Sequence, residues 1–599
     1  MKTRRAEIWL VLGLLVIVLV PRLVRLSADP PLDFQTGYQP DEGAWAHNAR
    51  QHVLFGHWVM EEHNPGLFAA PLYTIVLAGF YRLAGVGLLQ TRLLSAMAGS
   101  LTCLLLYVLL RTDRTPRESM PPVLILGASY FMLTNNRVGF TESLQLVFII
   151  AACLAVLRAA RNPWWGALGG VFFIASLLAK PSAVVLAPIF LGFWILHRVF
   201  ARRDDGLPRF SFRAVAWFAL GAGVTSLIVF LSLVRPHWAS ILQQLTISSR
   251  NVYGAAAGED RPRLVLFGWE ALGMTLNLFW TQCAVLLVAA GALLIGRLGK
   301  ALPSRPDLVE LLCWSWVVVG LLFLASQGYQ PDRHFLFLLP PIAILAWQGA
   351  SEGALRLPAR EEWCGPGAVR YSMLLGALLG AAVAFYAYPV LNHRILPALA
   401  LSQILPLQTW AGGWVVTVGL VLGAVVGPFA RRLLPHSSHR LPTALFVMLF
   451  LLTDPLRFGF YIARPSYGGR DAARALSQVT KDWSPTDRVV VGNSAYTLAL
   501  ETKLFAFNIR RREETGDYEN LDGWNRFHPA IAVVTAWRGK PVQDPIQLPI
   551  VRGIRVHGMV LCREVPLSYD SQRHPARLAR YYVRPDLLKS CPADQPSPS

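Results

Sequence analysis

Apolar residues recur along this chain in runs of about 17–25, the length that carries a helix across ~30 Å of hydrocarbon. The clearest runs lie near 6–25, 90–110, 120–135, 142–159, 163–180, 182–200, 212–234, 269–295, 307–326, 335–350, 371–390, 407–430 and 441–461. They predict about thirteen membrane-spanning helices. A further apolar segment, "NPGLFAAPLYTIVLAGFYRLAG" (64–85), decides the handedness of everything after it. If it crosses, the loop with Arg111, Arg114 and Arg117 and the stretch with Arg198, Arg202, Arg203, Arg209 and Arg213 fall outside. If it lies in the interface, those loops fall inside. So do Arg158 and Arg161, Arg297, Lys300 and Arg305, Arg356, Arg360 and Arg370, and Arg431, Arg432 and Arg440. The positive-inside rule selects the second arrangement, and Pro65, Pro71, Tyr73 and Tyr81 suit an amphipathic or re-entrant segment.

The N-terminus is then cytoplasmic and the C-terminus outside. The expected outer segments are Ser27–Leu89, the turn Asn135–Glu142, the turn at Lys180, Arg235–Gly268, 326–334 and 392–403. No internal repeat stands out.

From about Arg464 the pattern changes. "DRVVVGNSAYTLALE" reads as a buried strand, a glycine turn and a helix, "AIAVVTAW" as a second strand, and "IRVHGMVLCREV" as a strand pair. The predicted organisation is a membrane part over 1–463 with an outer loop at 27–89, a small extracytoplasmic α/β domain over 464–590, and a loose tail, 591–599.

Composition agrees with the pattern. The chain has 599 residues, of which 54% are hydrophobic and 15% charged, with a mean hydropathy of +0.41. The fold class is a polytopic α-helical membrane protein. A formal net charge of +20 would suit nucleic acid, but the basic residues sit in short loops between apolar runs, where they orient helices; no nucleic-acid partner is expected. "MKTRRAEIWLVLGLLVIVLV" starts like a signal peptide, yet Pro21, Arg22 and Arg25 follow in place of a small-residue cleavage site, so it is read as a retained first helix. Cys103, Cys153, Cys283 and Cys313 fall inside apolar runs, and Cys364 in an inner loop. Cys562 and Cys591 can pair if the last segment is oxidised.

The chemistry gathers at the outer boundary. In "YQPDEGAWAHNAR", Gly37 and Pro40 make a turn and Asp41 opens a helix with Trp45, Ala49 and Val53 on one face. Asp41 and Glu42 admit two readings: an acidic helix start, or a working carboxylate at the membrane edge. Glu142 with Arg137 before it, Lys180 between two runs, and Arg333 with His334 fall at the same boundary, where ionisable groups are costly unless paired or used. Glu142–Arg137 reads equally as an interfacial ion pair, Lys180 as a snorkelling helix end and Arg333 as a boundary charge. A carboxylate there can take a proton from an acceptor hydroxyl attacking an anomeric carbon, while Arg or Lys neutralises a departing phosphate. His47, His52, His57, His63, Glu61 and Glu62 crowd one loop at spacings that match no standard metal site; a divalent cation is left open.

At these residues the chain resembles the GT-C integral-membrane glycosyltransferases, in the branch of the lipid A aminoarabinose transferase and the protein O-mannosyltransferases. "PDEGAWAHNARQHVLFGHWV" with the 64–85 segment resembles that family's first outer loop. The Glu142 turn, "LLAKPSAVVLAP" and "DRHFLFLLPP" stand where the family has its second acidic turn, a Lys-Gly-Pro-like turn and an Arg-Tyr…Leu-Pro stretch. The likeness covers roughly residues 1–350.

The resemblance implies a polyprenyl-phosphate sugar donor, a lipid, glycan or protein acceptor, and inverting transfer on the outer face. It implies that Asp41 is the base or an acceptor-orienting carboxylate, with Glu42 beside it, and Glu142 the second acidic residue. Lys180 and Arg333 would stand at the donor phosphate. The chain departs from the pattern at Glu142 (usually Asp), Pro181 (often Gly), His334 (Tyr) and Asn64 (often Lys), so one phosphate contact is either missing or supplied by Arg137. The competing readings are a flippase for a lipid-linked glycan and a non-catalytic assembly protein. Transporters usually carry paired repeats and mid-membrane charges, neither of which is evident here.

Overall fold

The protein is described from a computed structural model over residues 2–30, 40–60, 66–201, 211–242, 269–298, 306–327, 331–351, 380, 441–463, 465–484, 487–492, 494–508, 522–537, 548–569 and 575–591. Helix α1 (Lys2–Leu23) is followed by α2 (Asp41–Phe55), α3 (Gly66–Ala69), α4 (Pro71–Ala84), α5 (Leu88–Leu110), α6 (Pro116–Ala128), α7 (Tyr130–Asn136), α8 (Thr141–Ala159), α9 (Trp165–Ala179), α10 (Leu186–Ala201) and α11 (Phe212–Val229). Then come α12 (Trp269–Leu298), α13 (Leu308–Ala325), α14 (Leu339–Ser351) and α15 (Leu441–Ala463). Seven segments among the described residues are long and apolar enough to cross a membrane, by length and composition, fewer than the thirteen expected. The expected spans at 371–390 and 407–430 lie outside the described residues.

Several expected spans are interrupted, among them the following two. The run at 120–135 breaks at Ser129, whose ψ of 129° is not helical. The break frees the amide of Tyr130, which donates to Asp454 Oδ1 of α15 at 2.9 Å. A carboxylate far along the chain thus replaces the missing turn, which no local pattern announces. The run at 335–350 starts as a 3-10 turn, Asp332–Leu338, before α14.

Glycine sets the closest helix approach. A methyl at Gly166, Gly170 or Gly221 would meet backbone atoms of the facing helix at 2.1–2.3 Å, so α9 and α11 touch backbone to backbone. The main core runs through α1, α5–α8, α10 and α12–α15 and includes Leu14, Leu106, Leu126, Ile150, Ile189, Trp316 and Ile342.

One end of the bundle carries four ion pairs: Arg111–Glu7 (2.9 Å), Arg114–Asp307 (2.8 Å), Arg161–Asp113 (2.7 Å) and Arg297–Glu310 (2.7 Å). Because α5 and α8 end there, their first residues mark the opposite end, where α2 and the C-terminal unit lie.

The C-terminal unit begins with α16 (Gly468–Val479) and has a five-stranded sheet in the order β2-β1-β3-β5-β4. The strands are β1 (Val489–Val491), β2 (Phe505–Phe507), β3 (Ile531–Trp537), β4 (Val560–Tyr569) and β5 (Pro575–Val583). β1 pairs in parallel with β2 and β3; β5 runs antiparallel between β3 and β4. Alternation along the strands divides the core. Val490, Ile531 and Val533 face α16 and α17 (Ala495–Leu498), while Val491, Ala532 and Val534 face α18 (Asp522–Phe527) and α19 (Leu548–Val556).

The α/β expectation holds, but "IRVHGMVLCREV" is not a strand pair. Its first part ends α19, because Ile550 and Ile554, four apart, are buried with Trp524, and Gly558 at φ +61° turns the chain into β4. The partner of β4 is β5. A Cys562–Cys591 disulfide ties the final turn to β4.

Candidate active site

Four charged side chains from four segments meet at the end of the bundle that faces the sheet unit. Arg333 is the centre: its Nη2 lies 2.8 Å from Asp41 Oδ2 and its Nε 3.2 Å from Glu142 Oε1. Glu142 Oε1 also takes the Lys180 ammonium. The result is an alternating chain, Asp41–Arg333–Glu142–Lys180.

Each member is held at the end of an element. Glu142 is the second residue of α8, and its Oε2 accepts from Thr141 Oγ1 at 3.1 Å. Lys180 ends α9 in an extended conformation, as the following Pro181 requires. Gln145, one turn beyond Glu142, donates to the Lys180 carbonyl (3.1 Å) and to Ser182 Oγ (3.0 Å), fixing that turn. Arg333 lies in the 3-10 turn after Pro331, its guanidinium 5.0 Å from the Phe140 ring centre. Side-chain exposure is 5% for Glu142, 9% for Lys180 and 8% for Arg333, but 42% for Asp41. Asp41 is therefore the exposed member of the cluster.

Asp41 and Glu42 part company because successive helical residues point about 100° apart. Glu42 is buried and receives Arg92 as a fork, Nε to Oε1 at 2.8 Å and Nη2 to Oε2 at 2.7 Å, while the Gly139 amide donates to Oε1 at 2.8 Å. Its oxygens are committed to α5 and to the turn before α8, contacts that give the residue a structural part. Arg137 is engaged elsewhere in the same way: its Nη1 donates to the carbonyls of Pro21, Arg22 and Val24 and its Nη2 to that of Arg25, closing the C-terminal end of α1. The expected Glu142–Arg137 pair is absent because Lys180 and Arg333 occupy Glu142.

Arg92, Gln145 and Asp29 were not singled out in the sequence. Arg92 carried a signal: a lone guanidinium four residues into an apolar run needs a partner. Asp29 is buried and accepts from Ser466 Oγ (3.2 Å) and the Gly469 amide (3.3 Å); burial, against the pull of Arg92, pushes its carboxyl up to about 6.

The histidine loop makes no metal site among the described residues. His47 packs on the Tyr496 ring at 4.1 Å and His52 stacks on Trp58 at 3.8 Å; Glu61, Glu62 and His63 lie outside the described residues.

A family model described as dolichyl-phosphate-mannose-protein mannosyltransferase matches residues 68–234, a stretch with Glu142 and Lys180 but neither Asp41 nor Arg333. Two solved structures of ArnT from Cupriavidus metallidurans are similar over the whole chain. The one bound to undecaprenyl phosphate has 16% identity and a TM-score of 0.56, covering 96% of this chain and 98% of that one. The apo state has 17% identity and a TM-score of 0.55 at the same coverage. No curated protein sequence matches. The chain thus shares the fold of these ArnT structures, a helical membrane part followed by a small C-terminal sheet unit.

Proposed function

We propose that this protein transfers a sugar from a polyprenyl-phosphate donor to an acceptor hydroxyl at the outer surface of the membrane, with inversion at the anomeric carbon. The observation that carries the reading is the Asp41–Arg333–Glu142–Lys180 chain, in which the one exposed carboxylate adjoins two buried cations. In the resting site Arg333 bridges both carboxylates. An arriving donor phosphate competes for Arg333 and Lys180, which frees an Asp41 oxygen for the acceptor. Asp41 takes the hydroxyl proton as the oxygen attacks the anomeric carbon, and the bond to the phosphate oxygen breaks on the opposite face. The phosphate leaves into the field of Arg333 and Lys180, held ready by Glu142, so no charged group must be reorganised during the step. Glu142 is an orienting carboxylate here.

The membrane level of the site follows from the helix ends. Asp41, Glu142, Lys180 and Arg333 all stand at the ends of elements, where a lipid-linked phosphate lies. A flippase would use charges nearer mid-span. The likeness to a structure holding undecaprenyl phosphate supports a polyprenyl-phosphate donor. The outer assignment rests on the loop charges at the opposite end and on the Cys562–Cys591 disulfide, which belongs in an oxidising compartment.

The test is release of free polyprenyl phosphate from a panel of polyprenyl-phosphate sugars, with envelope lipid and glycan as acceptors. Donor-dependent release that falls by at least about a hundredfold in Asp41→Asn supports the base and identifies the sugar. Equal release by both proteins reduces Asp41 to a helix-start carboxylate, and no release from any donor overturns the transferase.

A further inference from the structure

Helix α2 starts without a cap of its own. The residue in the N-cap position is Pro40, whose ring has no oxygen to offer, and no side chain of the helix caps it. A helix leaves its first amides unpartnered, and the usual remedy is an N-cap oxygen that accepts from the second or third of them. Asp41 is the carboxylate nearest to that task, yet its Oδ2 is turned to Arg333.

The missing oxygen comes from the sheet unit. Thr497, in α17, accepts at Oγ1 from the Gly43 amide (3.0 Å) and donates to the Pro40 carbonyl (2.6 Å). Gly43 is the third helical residue, so the hydroxyl does what an N-cap side chain does, from more than 450 positions along the chain. The Pro40 carbonyl also accepts from the Ala44 amide, at 3.5 Å. The contact is close: a methyl at Gly43 would lie 2.1 Å from the Thr497 nitrogen. Thr497 is buried, with its neighbour Tyr496 on His47. One turn on, Arg50 Nη2 donates to the carbonyls of Thr502 (2.9 Å) and Leu504 (2.6 Å), so the same unit holds both ends of this stretch.

We propose that Thr497 is a positioning residue for the transfer: by capping α2 from the C-terminal unit it releases Asp41 from capping its own helix and holds that carboxylate at Arg333. The inference rests on the reading of Asp41 as the base. Without the hydroxyl, the open amides compete for the Asp41 carboxylate and turn it away from the acceptor.

Full-length Thr497→Val and Thr497→Ser in lipid nanodiscs test this. Three quantities are measured: kcat and KM for polyprenyl-phosphate release with the donor found above, amide hydrogen exchange of the 41–50 segment, and thermal unfolding. Thr497→Val is expected to lower kcat about tenfold or more, leave donor KM within about twofold, and speed exchange at Gly43 and Ala44; Thr497→Ser stays within about twofold of wild type throughout. Wild-type kcat in Thr497→Val overturns the proposal. So does an equal loss in Thr497→Ser, because the methyl and not the hydroxyl would then matter. If wild type releases nothing from any donor, the transferase reading fails by itself. Exchange then decides the cap: faster exchange in the valine variant alone upholds it, and unchanged exchange overturns it.

Discussion

Replacing Glu42 by Gln separates its structural role from a chemical one. The carboxylate accepts three hydrogen bonds, two from Arg92 and one from the Gly139 amide, with both side chains buried. Breaking a buried pair by changing one partner typically costs about 3–5 kcal/mol, most of it from the charge left behind. Arg92 keeps two carbonyl acceptors, Leu26 (3.2 Å) and Ala28 (2.7 Å), and the nearby Asp29 charge, which puts the expected loss near the lower figure, about 3 kcal/mol. For a chain of 599 residues that is about 2 °C in apparent melting temperature. The assay is a double-mutant cycle of Glu42→Gln, Arg92→Met and the pair, with melting in nanodiscs and polyprenyl-phosphate release measured on the same samples. The two single changes should each destabilise, and the pair by less than their sum, because neither leaves the other's charge stranded. Residual activity per folded molecule should remain within about tenfold of wild type. A Glu42→Gln protein that melts like wild type but releases polyprenyl phosphate as poorly as Asp41→Asn would refute the structural assignment and return Glu42 to the chemistry.

Two more outcomes follow from the cluster and its surroundings. Arg333→Lys keeps the charge but not the planar fork that spans Asp41 and Glu142, so kcat/KM should fall about ten- to a hundredfold with donor KM raised; wild-type kinetics would sink the bridging role. Asp29 binds a proton more tightly folded, with its carboxyl raised by burial from 3.8 to about 6, than unfolded. Its contribution to stability is therefore full below about pH 4 and lost as pH rises through about 6, a change of up to about 3 kcal/mol. Asp29→Asn should match wild type in melting near pH 4 and exceed it above pH 6.5, and a mutant less stable than wild type at pH 7.5 would contradict this.

The four members of the charged cluster were legible because an ionisable side chain at the edge of an apolar run is a local signal, and each has one: Asp41 after Pro40, Glu142 two residues into a run, Lys180 before Pro181, Arg333 after Pro331. Which of them meet was not legible, since Asp41 and Arg333 are nearly 300 positions apart. The partners of Glu42 were not legible because adjacency in sequence hides a rotation of about 100°, and only the position of Arg92 tells which carboxylate it meets. Those of Arg137 were not legible for a related reason: the carbonyls it satisfies belong to the end of α1, and open backbone groups leave no mark in a sequence. The break at Ser129 was missed because the Asp454 that sustains it comes from α15. Partnership across the chain was not legible, while most element types were read from local pattern, the helix end within "IRVHGMVLCREV" excepted.

The same contacts decide what the C-terminal unit contributes. Helix α2 touches the bundle through Glu42, on Arg92 and the Gly139 amide, and the sheet unit through Gly43 and Arg50, on Thr497, Thr502 and Leu504. Asp41 directly precedes both attachments, at Glu42 and Gly43, so its distance to Arg333 depends on both. The first loop is tied to the sheet unit a second time, where the Asp29 amide donates to the Ser466 carbonyl (2.9 Å) and its carboxylate accepts from Ser466 and Gly469. Removing the unit would uncap α2, open the carbonyls that receive Arg50 and leave Asp29 without its donors. A bundle so truncated keeps Glu142, Lys180 and Arg333 on its own helices and loses the support of the one carboxylate that faces water. On this geometry the unit acts as a brace for the site, whatever it does for the acceptor.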